Sequence, residues 1–347
     1  MPIRFKTEAL SKVNELKWSF LTKTLILLWD CTFAGMIDRN LRIVFMGTPG
    51  FAVTSLQYLL EAGYPIVGVV TATDKPGGRG MKQMISSPIK QFAEEHNLNL
   101  LQPTNLKAKL FIDELRSLKA DLQVVVAFRM LPEVVWSMPS KGTMNLHGSL
   151  LPAYRGAAPI HWAVIRGEAI TGVTTFMLQR EIDTGQILAQ REMSILDEDD
   201  TGTVHDRMMH VGAALVVASI DLIAIGNFTL KPQDDTKVSF APKIHHEDGK
   251  INWGNSVMEV HNLIRGMSPF PGAWTLLDGS ECKIWKASIY SAKVNMIPGT
   301  MRLLEKRLIV QAAGGEIELE EIQVAGKKRM KAQEFLNGYK VRNWSLT

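Results

Sequence analysis

The 347-residue chain is 46% hydrophobic and 21% charged, the balance of a soluble protein long enough for two domains, each with its own core. Its two cysteines, Cys31 and Cys282, are too few and too far apart for a disulfide framework or a thiolate metal cluster, and they suit a reducing cytoplasm. The net charge of +4 lies wholly in the last third, where residues 240–347 hold 15 Lys+Arg against 11 Asp+Glu; a polyanionic partner and an ordinary solvated surface both fit that bias.

The chain opens with a short apolar run from Thr24 to Trp29, flanked by Lys23 and Asp30. A bilayer needs roughly 20 such residues, and no small-residue cleavage pattern follows. Met36 stands just before the first strongly patterned segment, so residues 1–35 read as a dispensable extension. A buried strand is expected over 41–46, broken by Gly47-Thr-Pro-Gly50. A helix over 51–61 follows, with Ala52, Leu56, Leu59 and Leu60 on one face and Gly63 as its stop. A second strand (66–71), a helix (87–97) with Pro88 in its first turn, helical text over 106–118 and strands over 122–127 and 144–147 continue the alternation. Continuous apolar strands alternating with helices predict a parallel sheet covered on both faces, over a domain spanning 36–230. A polar linker at 231–243 carries Pro232, Asp234, Asp235 and Pro242. Beyond it, 244–347 reads as a helix over 253–264 followed by short strands at 273–277, 282–290, 299–304, 307–312 and 317–324, the pattern of a small barrel.

The densest polar text is Asn-Leu-His-Gly-Ser-Leu-Leu-Pro-Ala-Tyr-Arg-Gly over residues 145–156. Asn145 and His147 are two apart at the end of an apolar strand, so both side chains share one face of the sheet. The carboxyl ends of parallel strands are where α/β proteins place their sites. Asp183, in Ile182-Asp-Thr-Gly185, adds a carboxylate beside a tight turn. An amide, an imidazole and a carboxylate are the parts that acyl transfer to an amine requires: an oxyanion donor, a proton acceptor and a group that orients and charges the imidazole. A structural, hydrogen-bonded Asn and His would also fit the spacing. His245-His246-Glu247 lacks metal-ligand geometry, and no metal is expected. Gly47-Thr-Pro-Gly50 lacks the three-glycine dinucleotide fingerprint.

The 145–156 segment, followed by Asp183-Thr-Gly185, resembles the signature of the folate-dependent formyltransferases. After Met36 the chain is similar to the methionyl-tRNA formyltransferase family nearly throughout. Matching text runs from Arg42 to Ala52, over 74–80 (Asp-Lys-Pro-Gly-Gly-Arg-Gly), 87–90, 156–160 and 171–174, and through Pro269-Phe-Pro-Gly-Ala-Trp274 and 284–287. The resemblance implies a Rossmann-like parallel-sheet domain joined to a C-terminal barrel of the OB type. It implies that Asn145, His147 and Asp183 are catalytic and that Ser149, Leu150, Leu151 and Pro152 contact 10-formyltetrahydrofolate. The partner it implies is initiator methionyl-tRNA, met by a cytoplasmic monomer that binds neither DNA nor membrane. Two features depart from the family: Phe128-Arg129 replaces an aromatic-glycine pair, setting a charge beside the folate pocket, and residues 179–182 differ. On the tRNA side, the glycine-rich loop offers Lys75, Arg79 and Lys82, and a basic run offers Lys327, Lys328 and Arg329. A sugar-nucleotide formyltransferase, a folate hydrolase and a catalytically silent RNA-binding protein are the alternatives.

Overall fold

The computed structural model describes residues 39–77, 80, 83–226, 228–292, 297–338 and 346. The extension at 1–35, with Cys31, and the basic residues Arg79 and Lys82 lie outside them. The chain begins with β1 (Ile43–Gly47), α1 (Gly50–Glu61) and β2 (Ile66–Val70). A hairpin of β3 (Lys75–Gly77) and β4 (Gln83–Ile85) precedes α2 (Pro88–Glu95), β5 (Leu100–Leu101), α3 (Lys109–Ser117) and β6 (Leu122–Val126). Then come α4 (Glu133–Trp136), β7 (Thr143–His147), α5 (Pro159–Ile165), β8 (Ile170–Met177), β9 (Ile187–Ser194) and α6 (Thr201–Ile225).

The seven-stranded sheet has the order β5-β2-β1-β6-β7-β8-β9. From β5 to β7 all pairings are parallel, as the apolar strand runs predicted; β8 and β9, which no apolar run announced, extend the edge antiparallel. Alternate residues of β1 serve two cores: Ile43 and Phe45 lie under α1, α2, α5 and α6, whereas Val44 and Met46 lie under α3 and α4. Period-two side-chain alternation on a strand apolar throughout is what puts a helical layer on each face. Helix α6 is long and apolar enough to cross a bilayer, yet it packs along α1, β8 and β9 as a core helix. It starts at an Asp200 capping box and stops at Gly226, whose φ of 73° is the left-handed conformation that ends helices.

The second unit begins with α7 (Val257–Gly266), capped by Ser256 and Glu259, so the helix starts four residues later than expected. It continues through β10 (Ala273–Leu277), β11 (Ser280–Ser291), β12 (Met301–Leu304), β13 (Arg307–Ala312), β14 (Gly315–Val324), β15 (Met330–Lys331) and α8 (Ala332–Gly338). The strands form one antiparallel sheet, ordered β10-β11-β14-β13-β12 with β15 on β14. Its core, including Trp253, Ile264, Ile284, Ile317 and Phe335, is separate from those of the first unit. Cys282 sits in this core, where burial pushes its thiol up to about 12, far from the thiolate a nucleophile needs.

The two units touch through α5 and α7. Thr201 donates to the Gly266 carbonyl at 2.7 Å, and Arg265 Nη1 donates to the Asp199 carbonyl at 3.0 Å. The segment at 231–243, read as a linker, is held against the first unit: Lys231 bridges to Ile187, and Phe240 to Arg155.

Candidate active site

His147 ends β7, and its side chain is 7% exposed. A carbonyl oxygen only accepts, so the 2.9 Å contact of Nε2 with the Tyr154 carbonyl places a proton on Nε2. In the neutral ring Nδ1 then carries the lone pair, and it faces Asp183 Oδ2 at 3.8 Å. That gap exceeds a hydrogen bond. In that form Nδ1 offers a lone pair beside the Asp183 carboxylate.

Asp183 reaches His147 by way of the connection between β8 and β9. The connection leaves beside the amino end of β7, where Leu178 N–H donates to the Thr143 carbonyl at 2.7 Å. It then turns back at Asp183, whose φ of 57° is left-handed. An aspartate tolerates that region better than most residues, but at a cost of order 1–3 kcal/mol that the surroundings must offset. Gly156 N–H donates to Asp183 Oδ2 at 2.9 Å. Two glycines are obligatory in this arrangement. A Cβ on Gly185 would lie 1.8 Å from the Met177 carbonyl, and one on Gly156 would lie 2.5 Å from the Ala241 carbonyl, in the 231–243 segment.

Asn145 is half-buried and two residues before His147 on the same face of β7. Among the described residues its side-chain amide has no hydrogen-bond partner. The amide is open to solvent rather than sealed in the core, and a donor exposed beside an imidazole–carboxylate pair is suited to a charge that forms only during reaction. The structure brings His147 and Asp183 to within 3.8 Å of each other, with Asn145 two residues earlier on the same strand face.

The other expected residues divide. Ser149 is buried and its hydroxyl donates to the Ala153 carbonyl at 2.6 Å, so it shapes its loop rather than offering a free hydroxyl. Thr174 supports the same loop, donating to the Ser149 carbonyl and accepting from Leu151 N–H. Leu150, Leu151 and Pro152 line a cavity of about 700 Å³ whose far wall is β9 and Lys237; none of Asn145, His147 and Asp183 borders it. A second, polar cavity lies beside the Asp183 turn, walled by Arg155, Arg180, Thr184, Gln186 and Gln233 among others. The Arg129 guanidinium donates to the carbonyls of Pro103 and Thr104.

Lys75 is exposed on the β3–β4 hairpin. Lys327 and Lys328 are exposed in the turn before β15, with no side-chain partner among the described residues. Arg329 is already engaged, pairing with Glu321 and lying 5.3 Å over the Trp285 ring. Two contributors were not foreseen, the Tyr154 carbonyl and Gln233. The first is a backbone group and carries no side-chain signal; the second lies in text that read as a spacer.

The Formyl transferase model matches residues 41–220, and the model of the formyl transferase C-terminal domain matches residues 243–340. The chain belongs to the formyl transferase family. Among its relatives is "Methionyl-tRNA formyltransferase" of Parabacteroides distasonis, 49% identical over 316 residues, covering 88% of this chain and 98% of that protein. The protein of the same name from Bacteroides fragilis is 48% identical, over 88% and 97% respectively. Solved formyltransferase-like structures share the fold at lower identity. An N-formyltransferase from Helicobacter canadensis superposes with TM-score 0.61 at 19% identity over 80% of this chain and 98% of that one. HypX from Aquifex aeolicus, in complex with tetrahydrofolic acid, gives 0.60 at 16% over 88% and 50%.

Proposed function

We propose that this family member transfers the formyl group of 10-formyltetrahydrofolate to the amino group of initiator methionyl-tRNA, giving N-formylmethionyl-tRNA. The observation that carries the chemistry is the contact of His147 Nε2 with the Tyr154 carbonyl, which leaves Nδ1 facing Asp183, beside an Asn145 amide without a partner among the described residues. The acceptor is inferred from the near-full-length identity to the two methionyl-tRNA formyltransferases.

The amine nitrogen attacks the formyl carbon, a C–N bond forms, and the carbonyl electron pair moves onto oxygen, where the Asn145 N–H donates to it. His147 Nδ1 takes the proton the amine loses, and the imidazolium is stabilised by Asp183. Collapse restores the carbonyl and breaks the bond to the carrier nitrogen, which takes the proton from His147. No enzyme-bound acyl intermediate is needed, and most of the rate gain comes from positioning and oxyanion stabilisation. The carrier's formyl end belongs beside Asn145, and Leu150, Leu151 and Pro152 on the loop that follows His147 are the proposed contacts with the rest of the carrier. The enzyme works in the cytoplasm as a monomer. The buried free thiol of Cys282 and the packed state of α6 support that setting.

The test offers purified protein labelled 10-formyltetrahydrofolate with either methionyl-tRNA or an aminosugar nucleotide. Label in methionyl-tRNA is expected; label in the sugar alone rejects the proposed acceptor, and formate release without transfer points to a hydrolase.

Lys75, Arg79 and Lys82 on the hairpin side and Lys327, Lys328 and Arg329 on the barrel side are the proposed tRNA-binding groups. With Arg329 engaged by Glu321, the free cations are Lys327 and Lys328. Replacing both by alanine should weaken tRNA binding and reduce the slope of log Kd against log salt by about 2, near one for each phosphate no longer neutralised. Carrier binding should be unchanged; an unaltered salt slope removes both lysines from the tRNA-binding surface.

A further inference from the structure

Gln233 lies in the 231–243 segment, outside both the strand-end motif and the Asp183 turn, yet its amide joins the two. Its Nε2 donates to the Asp183 carbonyl and to the Gly185 carbonyl, each at 2.8 Å. Its Oε1 accepts from Arg155 Nε at 3.0 Å and Nη2 at 2.7 Å. Both amide hydrogens are used, and the amide oxygen accepts twice. The two carbonyls it holds flank the left-handed turn that aims the Asp183 carboxylate. Arg155 precedes Gly156, whose N–H holds that carboxylate, and follows Tyr154, whose carbonyl holds His147. Arg155 is tied to the same segment a second time, through backbone bonds with Ser239 and Ala241.

We infer that Gln233 is a positioning residue for formyl transfer, clamping the Asp183 turn to the Arg155–Gly156 loop so that Asp183 Oδ2 stays opposite His147 Nδ1. This rests on the role of Asp183 proposed above. Without the two donors the turn is deprived of the bonds that offset its left-handed backbone, and Asp183 is free to relax away from the imidazole. A displacement of the orienting group by a fraction of an ångström lowers the rate of the chemical step more than it lowers binding.

The experiment measures kcat and KM for both substrates in Gln233→Ala, Gln233→Glu and Asp183→Asn, and in the double variant Gln233→Ala/Asp183→Asn, with thermal melts of each. Glutamate keeps an acceptor for Arg155 but presents no donor to the carbonyls, so it separates the two halves of the clamp. Both Gln233 variants should lose roughly ten-fold to a hundred-fold in kcat, with KM values within two-fold and melting temperatures little changed. In the Asp183→Asn background the alanine substitution should cost almost nothing more, because it acts through a group already disabled. Wild-type kcat in Gln233→Glu, or a full additional loss in the double variant, overturns the inference while leaving the role of Asp183 intact. Near-normal turnover in Asp183→Asn overturns that role instead.

Discussion

Asn145→Ala is expected to lower kcat for formyl transfer by about 10²–10³, the usual cost of removing one oxyanion donor. The loss should fall on kcat and kcat/KM alike, because the amide has no partner among the described residues and its bond is made only as negative charge develops. The melting temperature should hold, since no hydrogen bond among the described residues is broken. His147→Ala should cost at least as much, roughly 10²–10⁴ for a lost proton acceptor. Its double variant with Asn145→Ala should fall short of the product of the single losses, as groups acting in one transition state do. Asp183→Asn keeps an oxygen for Gly156 N–H but removes the charge facing Nδ1, so its loss reports how much the imidazolium depends on that carboxylate. Single-turnover and steady-state rates check all three. Near-normal turnover in both Asn145→Ala and His147→Ala would leave the triad without a catalytic role.

How the site was legible follows from where its parts lie in the chain. Asn145 and His147 are close in sequence, on a strand whose apolar run and period of two can be read directly, so their common face needed no tertiary information. Asp183 carries no such signal. Some three dozen residues separate it from His147; its place beside a tight turn and the chemistry of acyl transfer suggested the grouping, and the family resemblance strengthened it. Strands β1, β6, β10 and β13 were recognisable because each is a short β-branched or apolar run bounded by turns. Helix α6 was not. Its buried face includes Val204, Met208, Val216 and Ile220, but Val211, Leu215 and Val217 on other faces are partly buried too, which blurs the 3.6-residue contrast. The roles of Gln233 and Arg129 were illegible for another reason. Each is a polar side chain in irregular text whose partners are backbone carbonyls from remote segments, and no local pattern encodes such partners.

Asp199 sets the largest expected effect outside the site. Its carboxylate is 4% exposed and accepts from Arg207 through both Nη1 and Nη2, at 2.6 and 2.7 Å, from Leu196 N–H at 2.7 Å and from the Thr203 hydroxyl at 3.0 Å. The turn it closes ends β9, starts α6 and presents the carbonyl that Arg265 grips from the second unit. Asp199→Asn keeps the volume but turns an acceptor oxygen into a donor facing donors. The loss should be about 2–4 kcal/mol, the range for breaking a buried charged cluster by one member. For a unit of this size it corresponds to a melting point lower by roughly 4–16 °C. Burial alone would push the Asp199 carboxyl up; Arg207, Leu196 N–H and Thr203 outweigh it and hold the group below the ordinary carboxylate range. In the window between the lowered folded value and the ordinary one, the unfolded chain binds the extra proton, so stability rises with pH there. The contribution is complete above the ordinary carboxylate value and is lost as pH falls through the lowered one. Denaturation followed from pH 7 to pH 2 should therefore show wild type and Asp199→Asn far apart at neutral pH and converging in strong acid. A gap that stays constant down to pH 2 would mean that the carboxylate's charge contributes nothing and only its shape is needed.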